Sequence, residues 1–401
     1  MTPRPVELAR EFTRLGLTAF GGPAAHLAIM QRELVERRAW LSQQRFVDLI
    51  GLSSVLPGPS STEVALGIGY ERGRWPGLLV AALGFIGPAV LITLVIAVIY
   101  VEAGTLGEAR HLLYGMSPVV IAVVAHAMIV LLPSAFTDAV TWVVGLGAFV
   151  ASLVLEQPLL VLIGAALVTL VLRRGPAWLR GGGSSALLGG LALGEASPSS
   201  SAIVPGATAA GAVAAVAGAA TTLGGAGIFL TFLKIGLVVF GSGYVLLAFL
   251  GTELVVPGYV TDQEILDAVA IGQLTPGPVF TTATFLGYLM AGLPGAIAAT
   301  LGVFLPAVLL VGIAHPWLDR IRADASLSAA IEGLNAAAVG LIGFSVVLLA
   351  EEAFVPAGSI DLVAVGLALA SFLILLSGRL GPVPLLLAGA IIGLVVELWR
   401  A

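Results

Sequence analysis

Two Pro-Gly-Pro tripeptides, Pro57-Gly58-Pro59 and Pro276-Gly277-Pro278, interrupt long apolar stretches. Hydroxyl residues follow closely: Ser60-Ser61-Thr62 after the first and Thr281-Thr282 after the second. A helix restarting at such a break presents N–H groups without intrahelical partners and the positive end of its dipole. The hydroxyls add donors beside those amides, and Gly58 and Gly277 let the backbone approach a ligand closely. That chemistry suits an oxyanion. Tight turns and ordinary helix caps are the competing reading of the same residues. Two further breaks, Gly21-Gly22-Pro23 and Gly241-Ser242-Gly243, either join the binding surface or simply permit close helix packing.

Charged groups embedded in apolar sequence are costly and therefore informative. Glu63 lies four residues after Pro59, and its counterpart after the second tripeptide is the neutral Thr282. Glu63 reads either as a proton-carrying group or as a carboxylate bonded to a helix end. Arg14 and Lys234 hold equivalent places before Leu17–Phe20 and Leu237–Phe240, where they either meet an entering anion or snorkel to the interface. His26 either titrates or makes a structural hydrogen bond. Asp48 and Asp267 read as partners for half-helix ends. Cysteine is absent, and the four histidines show no metal-ligand spacing, so no metal, cofactor or thiol chemistry is expected.

The elements that carry these residues occur twice. Phe12, Arg14, Gly16, Phe20, Gly21 and Glu33 return as Phe232, Lys234, Gly236, Phe240, Gly241 and Glu253. After a one-residue slip, Ser42, Gln44, Asp48 and the first Pro-Gly-Pro align with Thr261, Gln263, Asp267 and the second. After another slip, Gly69-Tyr70, Pro76-Gly77 and Pro88 fall on Gly287-Tyr288, Pro294-Gly295 and Pro306. The chain therefore divides into homologous halves, 1–172 and 228–401, joined by a Gly/Ala/Ser-rich linker over 173–227.

Composition places both halves in a bilayer. Apolar residues make up 59% of 401, charged residues 10%, and mean hydropathy is +1.08, which excludes an ordinary soluble globule. A net charge of -5 without a basic stripe argues against a nucleic-acid partner. The first twelve residues lack the apolar core and cleavage site of a signal peptide, so none is expected. The fold class is an all-α polytopic membrane protein. Spans are expected at 75–101, 112–132, 139–155 and 157–172, and again at 293–314, 328–349, 361–376 and 382–398.

The segments 15–31 and 46–70 are broken near their middles, which makes each either a re-entrant hairpin or a Pro-kinked span. Basic residues flank the first copy, at Arg32, Arg37, Arg38 and Arg45. In the second copy the corresponding flanks carry Glu253, Asp262, Glu264 and Asp267. Under the positive-inside rule the two repeats insert upside down relative to each other. Inversion needs an odd number of crossings between copies, and the weakly apolar stretch 202–222 would supply a fifth. Inverted repeats with broken helices are a recurrent plan of secondary transporters.

The run Gly21-Gly22-Pro23-Ala24-Ala25-His26, then Arg37-Arg38-Ala39-Trp40-Leu41, then Pro57-Gly58-Pro59 with Ser61-Thr62-Glu63 and Gly69-Tyr70, resembles the chromate ion transporter family. Phe240-Gly241-Ser242-Gly243-Tyr244 and Thr275-Pro276-Gly277-Pro278-Val279 resemble that family's second domain. The family often has Asn where Ser60 stands. The resemblance implies a multi-pass inner-membrane protein that exports chromate, with sulfate as a look-alike oxyanion, and no enzymatic activity. The mechanism it leads us to expect is alternating access driven by membrane potential, with proton antiport through Glu63 or sulfate exchange. An oxyanion channel, or a carrier of another anion such as sulfate, remains the alternative, and a homodimer is an arrangement open to such a chain.

Overall fold

The structure, a computed structural model, describes residues 5–20, 22–53, 55–103, 108–155, 157–180, 223–240, 243–317, 324–355 and 359–400. The 202–222 stretch, with its uncertain fifth crossing, lies outside them.

Among the described residues the chain is helical. The first half contains α1 (Pro5–Thr18), α2 (Gly22–Met30, continued by a π-turn over Gln31–Arg37), α3 (Gln43–Ser53), α4 (Ser60–Ala103), α5 (Glu108–Ala135), α6 (Ala139–Ser152) and α7 (Pro158–Arg180). The second contains α8 (Gly225–Val238), α9 (Leu246–Leu250, continued by a π-turn over Gly251–Val255), α10 (Asp262–Leu274), α11 (Thr282–Ala314), α12 (Ala325–Phe354), α13 (Leu362–Leu376) and α14 (Pro382–Arg400). Among the described residues, four helical stretches are long and apolar enough to cross a membrane: Ser60–Glu102, Tyr114–Ala135, Val279–Trp317 and Ser326–Phe354.

Two of these stretches are hairpins rather than rods. In α4 the helix breaks at Gly73 (φ -154°, ψ 18°) and Arg74 (φ 52°, ψ -143°). In α11 it breaks at the equivalent Ala291 (φ -151°, ψ 29°) and Gly292 (φ 60°, ψ -150°). The arms then fold face to face where Gly69 meets Gly77 and Gly287 meets Gly295, positions at which a Cβ would strike the opposing carbonyl. The repeat therefore extends to backbone dihedrals that no residue identity enforces, since Arg74 and Gly292 share one conformation.

The broken segments fold back on themselves as helical hairpins. Arg45 pairs with Glu71 at 2.6 Å, and Leu49 packs against Gly67, so α3 and the first arm of α4 run antiparallel with Pro57-Gly58-Pro59 at the tip. Arg38 pairs with Glu11, and Arg14 lies 3.7 Å from Glu33, so α1 and α2 with its π-turn form a second hairpin. Lys234 and Glu253, 2.5 Å apart, close the equivalent hairpin of the second half.

The halves interleave. Helix α1 packs on the second arm of α4 through Gly16, where a Cβ would lie 2.6 Å from the Gly84 oxygen, and α8 packs on α11 through Gly236, 2.5 Å from the Val303 oxygen. Helix α5 packs on α13 and α14, and its second-half equivalent α12 packs on α6 and α7. Gly115 meets Gly389, and Gly333 meets the Ala165 backbone, at matched points of these contacts. Small residues set these approaches because lipid gives helices no hydrophobic reason to associate. Apolar side chains such as Leu83, Val143, Leu146 and Ile391 face outward instead, where a bilayer would cover them.

The central pair, α4 and α11, runs antiparallel. Tyr70 lies against His315 (ring centroids 4.5 Å) and Trp75 against Gly312, whereas Tyr100 at the other end meets Phe285 at 5.0 Å. Equivalent helices placed antiparallel require a pseudo-twofold axis perpendicular to them.

Candidate functional site

The four hairpin tips meet in crossed pairs between the halves. Gly58 N–H donates to the Val239 carbonyl at 2.7 Å, and Pro57 bridges to Phe240. Gly277 N–H donates to the Ala19 carbonyl at 2.8 Å. Ala19 and Val239 are equivalent, as are Gly58 and Gly277, so each Pro-Gly-Pro is held by the Gly-rich tip of the other half. Positive φ at Gly58 (145°) and Gly277 (92°) permits this geometry. A Cβ on Gly58 would lie 3.1 Å from that of Ala307, and one on Gly277 would lie 2.7 Å from that of the equivalent Ala89. The close approach expected of these glycines is thus made to the opposite half's backbone.

Buried polar side chains cluster in sequence on the elements that end or begin at the tips. Ser61, Thr62, Glu63, His26, Thr93, Gln273, Thr275, Thr281 and Thr282 are all buried. His26 Nδ1 lies 3.1 Å from Ser61 Oγ, joining α2 to the start of α4, and its ring meets Phe85 edge-on. His26 Nε2, Thr62 Oγ1, both Glu63 carboxyl oxygens and Gln273 Nε2 have no hydrogen-bond partner. Buried polar atoms are almost always paired, so these unpartnered groups set the region apart from the rest of the described residues.

The two copies contribute unequally. Thr281 and Thr282 donate to their own turn, to Pro278 O at 3.0 Å and Val279 O at 2.7 Å, which commits their hydrogens. The side-chain oxygens of the equivalent Thr62 and Glu63 have no partner. The second half supplies Gln273 instead, together with Tyr244, a Gln273 hydrogen-bond partner whose hydroxyl reaches the Gly22 tip.

Other expected residues stand elsewhere. Arg14 and Lys234 sit at the outer ends of their hairpins, half exposed and paired with Glu33 and Glu253. Asp48 and Asp267 accept from Gln44 and Gln263 one turn earlier, at 3.2 and 2.8 Å. Gly21, Gly241 and Ser242 lie outside the described residues. Gly22 (φ 81°) opens α2 beside Tyr244, and Gly243 opens a short 3-10 turn. Gln273, Thr275 and Tyr244 were not singled out from sequence. Gln273 is polar inside the apolar run 268–274, which is the signal that points to it.

Beyond the tips, different contacts tie the halves at the two ends. At one, Glu71 lies 3.1 Å from His315 Nε2 while also holding Arg45. At the other, Tyr100 donates to Asp267 at 2.8 Å and Gln263 donates to Ser117 at 3.2 Å.

The sequence profile described as "Chromate transporter" matches residues 6–170 and again residues 226–394. The chain belongs to the chromate transporter family. It is 31% identical over 393 residues to the chromate transport protein of Cupriavidus metallidurans, covering 97% of this chain and 92% of that one. It is 32% identical over 399 residues to the chromate transport protein of Pseudomonas aeruginosa, with the same coverage. An uncharacterized transporter of Methanocaldococcus jannaschii is 24% identical over 362 residues, 85% of this chain and 83% of that one. No solved structure matches. Membership makes the chain a multi-pass membrane transporter and not an enzyme, and the double match falls on the two homologous halves.

Proposed function

We propose that this protein exports chromate, and admits sulfate as a look-alike, across the inner membrane by alternating access. The observation that carries the reading is the crossed pairing of Gly58 with Val239 and Gly277 with Ala19, which gathers unpartnered buried groups between two dissimilar ties. A tetrahedral oxyanion matches what the tips offer: the Thr62 hydroxyl, the Gln273 amide, the His26 ring and the dipoles of half-helices starting at Ser60 and Val279. The similarity to chromate transport proteins supports chromate as the cargo.

Antiparallel equivalent helices support an inverted repeat once α4 and α11 are placed in a bilayer. The end that bears Arg37, Arg38, Arg45, Arg72 and Arg74 then faces the cytoplasm, and the end that bears Asp262 and Glu264 faces outward. The Glu71–His315 tie closes the inner mouth and the Tyr100–Asp267 tie the outer one. An outward-moving dianion gains about 4.6 kcal/mol from a 100 mV potential, negative inside, which is enough to drive export.

The test is accumulation of labelled chromate by everted membrane vesicles under an imposed potential. Potential-dependent uptake that is lost in Gly58→Leu and Gly277→Leu, with both variants still correctly inserted, supports the reading. Absence of chromate uptake under any potential or pH gradient removes it.

A further inference from the structure

Glu63 stands apart from every other acidic group whose partners are visible. It is 2% exposed, both carboxyl oxygens lack partners, and no ion pair among the described residues includes it. It occupies the first turn after Pro57-Gly58-Pro59, and a Cβ on Gly58 would lie 2.8 Å from its Oε1. The Gly58 amide is already committed to Val239, so the tip's own backbone does not stabilise the carboxylate. The charged and titratable groups on the surrounding elements are engaged elsewhere. On α1, Glu11 and Arg14 pair at the outer end; on α3, Arg45 holds Glu71 and Asp48 accepts from Gln44. On α10, Asp267 accepts from Tyr100, and after α11 His315 meets Glu71. At the far end of its own arm, Arg72 donates to the Trp40 carbonyl. On α2, His26 faces Ser61, two residues away.

We infer that the cargo binds beside Glu63 as a carboxylic acid, its O–H serving as one more donor to the oxyanion. A buried carboxylate without a counter-charge is unfavourable, and a dianion brought to the same tips makes it more so. Proton and oxyanion therefore strengthen each other's binding, and by reciprocity each raises the other's occupancy by the same factor. The proton comes from the solvent on the side from which the cargo enters. Any proton that crosses in the cycle then crosses with the cargo, the opposite sign from the antiport expected of Glu63 from sequence. The repeat explains why one such group suffices: the equivalent Thr282 has its hydrogen committed to Val279 O and carries no charge.

This inference rests on the chromate reading, and the test separates the two. Purified full-length protein is titrated with chromate and with sulfate from about pH 7 to 10, alongside infrared difference spectra of carboxyl-labelled glutamate. Chromate-bound wild type shows a protonated carboxylic C=O band that Glu63→Gln lacks. Wild-type affinity for either anion falls about ten-fold per pH unit once Glu63 titrates, while that of the variant, whose amide mimics the acid, stays flat. Anion binding with Glu63 in its carboxylate form, or binding that requires Na⁺ instead of a proton, overturns the inference and leaves the transport reading intact. Failure of wild type to bind either anion at any pH overturns both. Where Glu63→Gln does not fold, Glu63→Asp makes the same assignment, because its carboxyl carries no glutamate label and the band vanishes from the labelled spectrum.

Discussion

Tyr100 donates its hydroxyl to Asp267 Oδ2 at 2.8 Å, and this bond ties the end of α4 to the other half across the pseudo-twofold axis. The equivalent tie at the opposite end is chemically different, with Glu71 gripping His315 and Arg45. On the alternating-access reading proposed above, the two ends are geometrically alike mouths and these side chains set the energy difference between them. Tyr100→Phe removes a bond to an acidic acceptor worth about 1.5–3 kcal/mol and favours the outward-open state by roughly ten-fold or more. Because the chain contains no cysteine, a single Thr93→Cys reporter suffices. Thr93 is buried beside Thr275, and Tyr100→Phe speeds its labelling by an external thiol reagent about ten-fold. A change of less than two-fold rejects the tie as a determinant.

His315→Ala acts on the other mouth. It leaves Glu71 with Arg45 alone and removes the ring packed on Tyr70. In everted vesicles the same Thr93→Cys reporter then labels faster from the cytoplasmic side, and labelling from outside slows. Equal acceleration from both sides would mean general loosening, and the assignment of the two mouths would fall.

The close approaches of α1 and α8 to the returning arms predict a steep, symmetric intolerance. A Cβ at Gly16 would lie 2.6 Å from the Gly84 oxygen and one at Gly236 would lie 2.5 Å from the Val303 oxygen, with backbone on both sides and no flexible side chain to yield. Gly16→Ala and Gly236→Ala each cost about 1–3 kcal/mol or more, read as a lower Tm and a smaller monodisperse fraction in detergent. Gly147, with nothing within 4 Å, is the control, and Gly147→Ala leaves both unchanged.

Much of this architecture was legible because the repeat leaves a trace at paired positions. Gly16 with Gly236 and Gly69 with Gly287 are conserved in identity between the halves since a Cβ at any of them meets backbone. The hairpin at Arg74 was not legible: Ala291 and Gly292 stand where Gly73 and Arg74 do, so local residue type does not encode the turn, and packing of the two arms does. Of the buried polar groups at the tips, Glu63, Ser61 and His26 were legible as polar residues adjacent to breaks. Gln273 and Tyr244 were hidden, because partnership between tips is a long-range property and each Pro-Gly-Pro binds the other half's tip rather than its own. Arg14 and Lys234, read either as meeting an entering anion or as snorkelling to the interface, sit at the outer ends, where solvated pairing with Glu33 and Glu253 is cheap.

Asp138 predicts an acid limb of stability. It caps α6, accepting from Thr141 N at 3.0 Å, and reaches Arg173 on α7 at 2.5 Å. The Thr141 amide and then the Arg173 guanidinium hold its carboxyl below the usual range. A depressed carboxylate contributes stability that is present above its unfolded pKa and is lost as pH falls through the folded one. Asp138→Ala lowers Tm at neutral pH, and the gap to wild type closes on acidification below about pH 4, where wild type has lost the same interaction. Asp138→Asn keeps the cap and loses the ion pair, so its Tm falls between the two. A gap that is constant with pH would show that the charge contributes nothing.

Gln273 offers the sharpest test of the site because its two replacements pull differently. Its side chain is buried and engages the Tyr244 hydroxyl, which fixes its orientation beside the second Pro-Gly-Pro. Gln273→Leu deletes one neutral donor and weakens chromate binding by about 1 kcal/mol, roughly five-fold. Gln273→Glu keeps the shape but places a second acidic group among the tips that hold Glu63. Binding then weakens further as pH rises, because a second carboxylate opposes the dianion, whereas it returns toward the wild-type level at low pH, when the new group is a protonated acid that mimics the amide. Calorimetric titration of both variants against pH reads this directly. If Gln273→Glu binds chromate as tightly as wild type at alkaline pH, the anion does not sit at these tips.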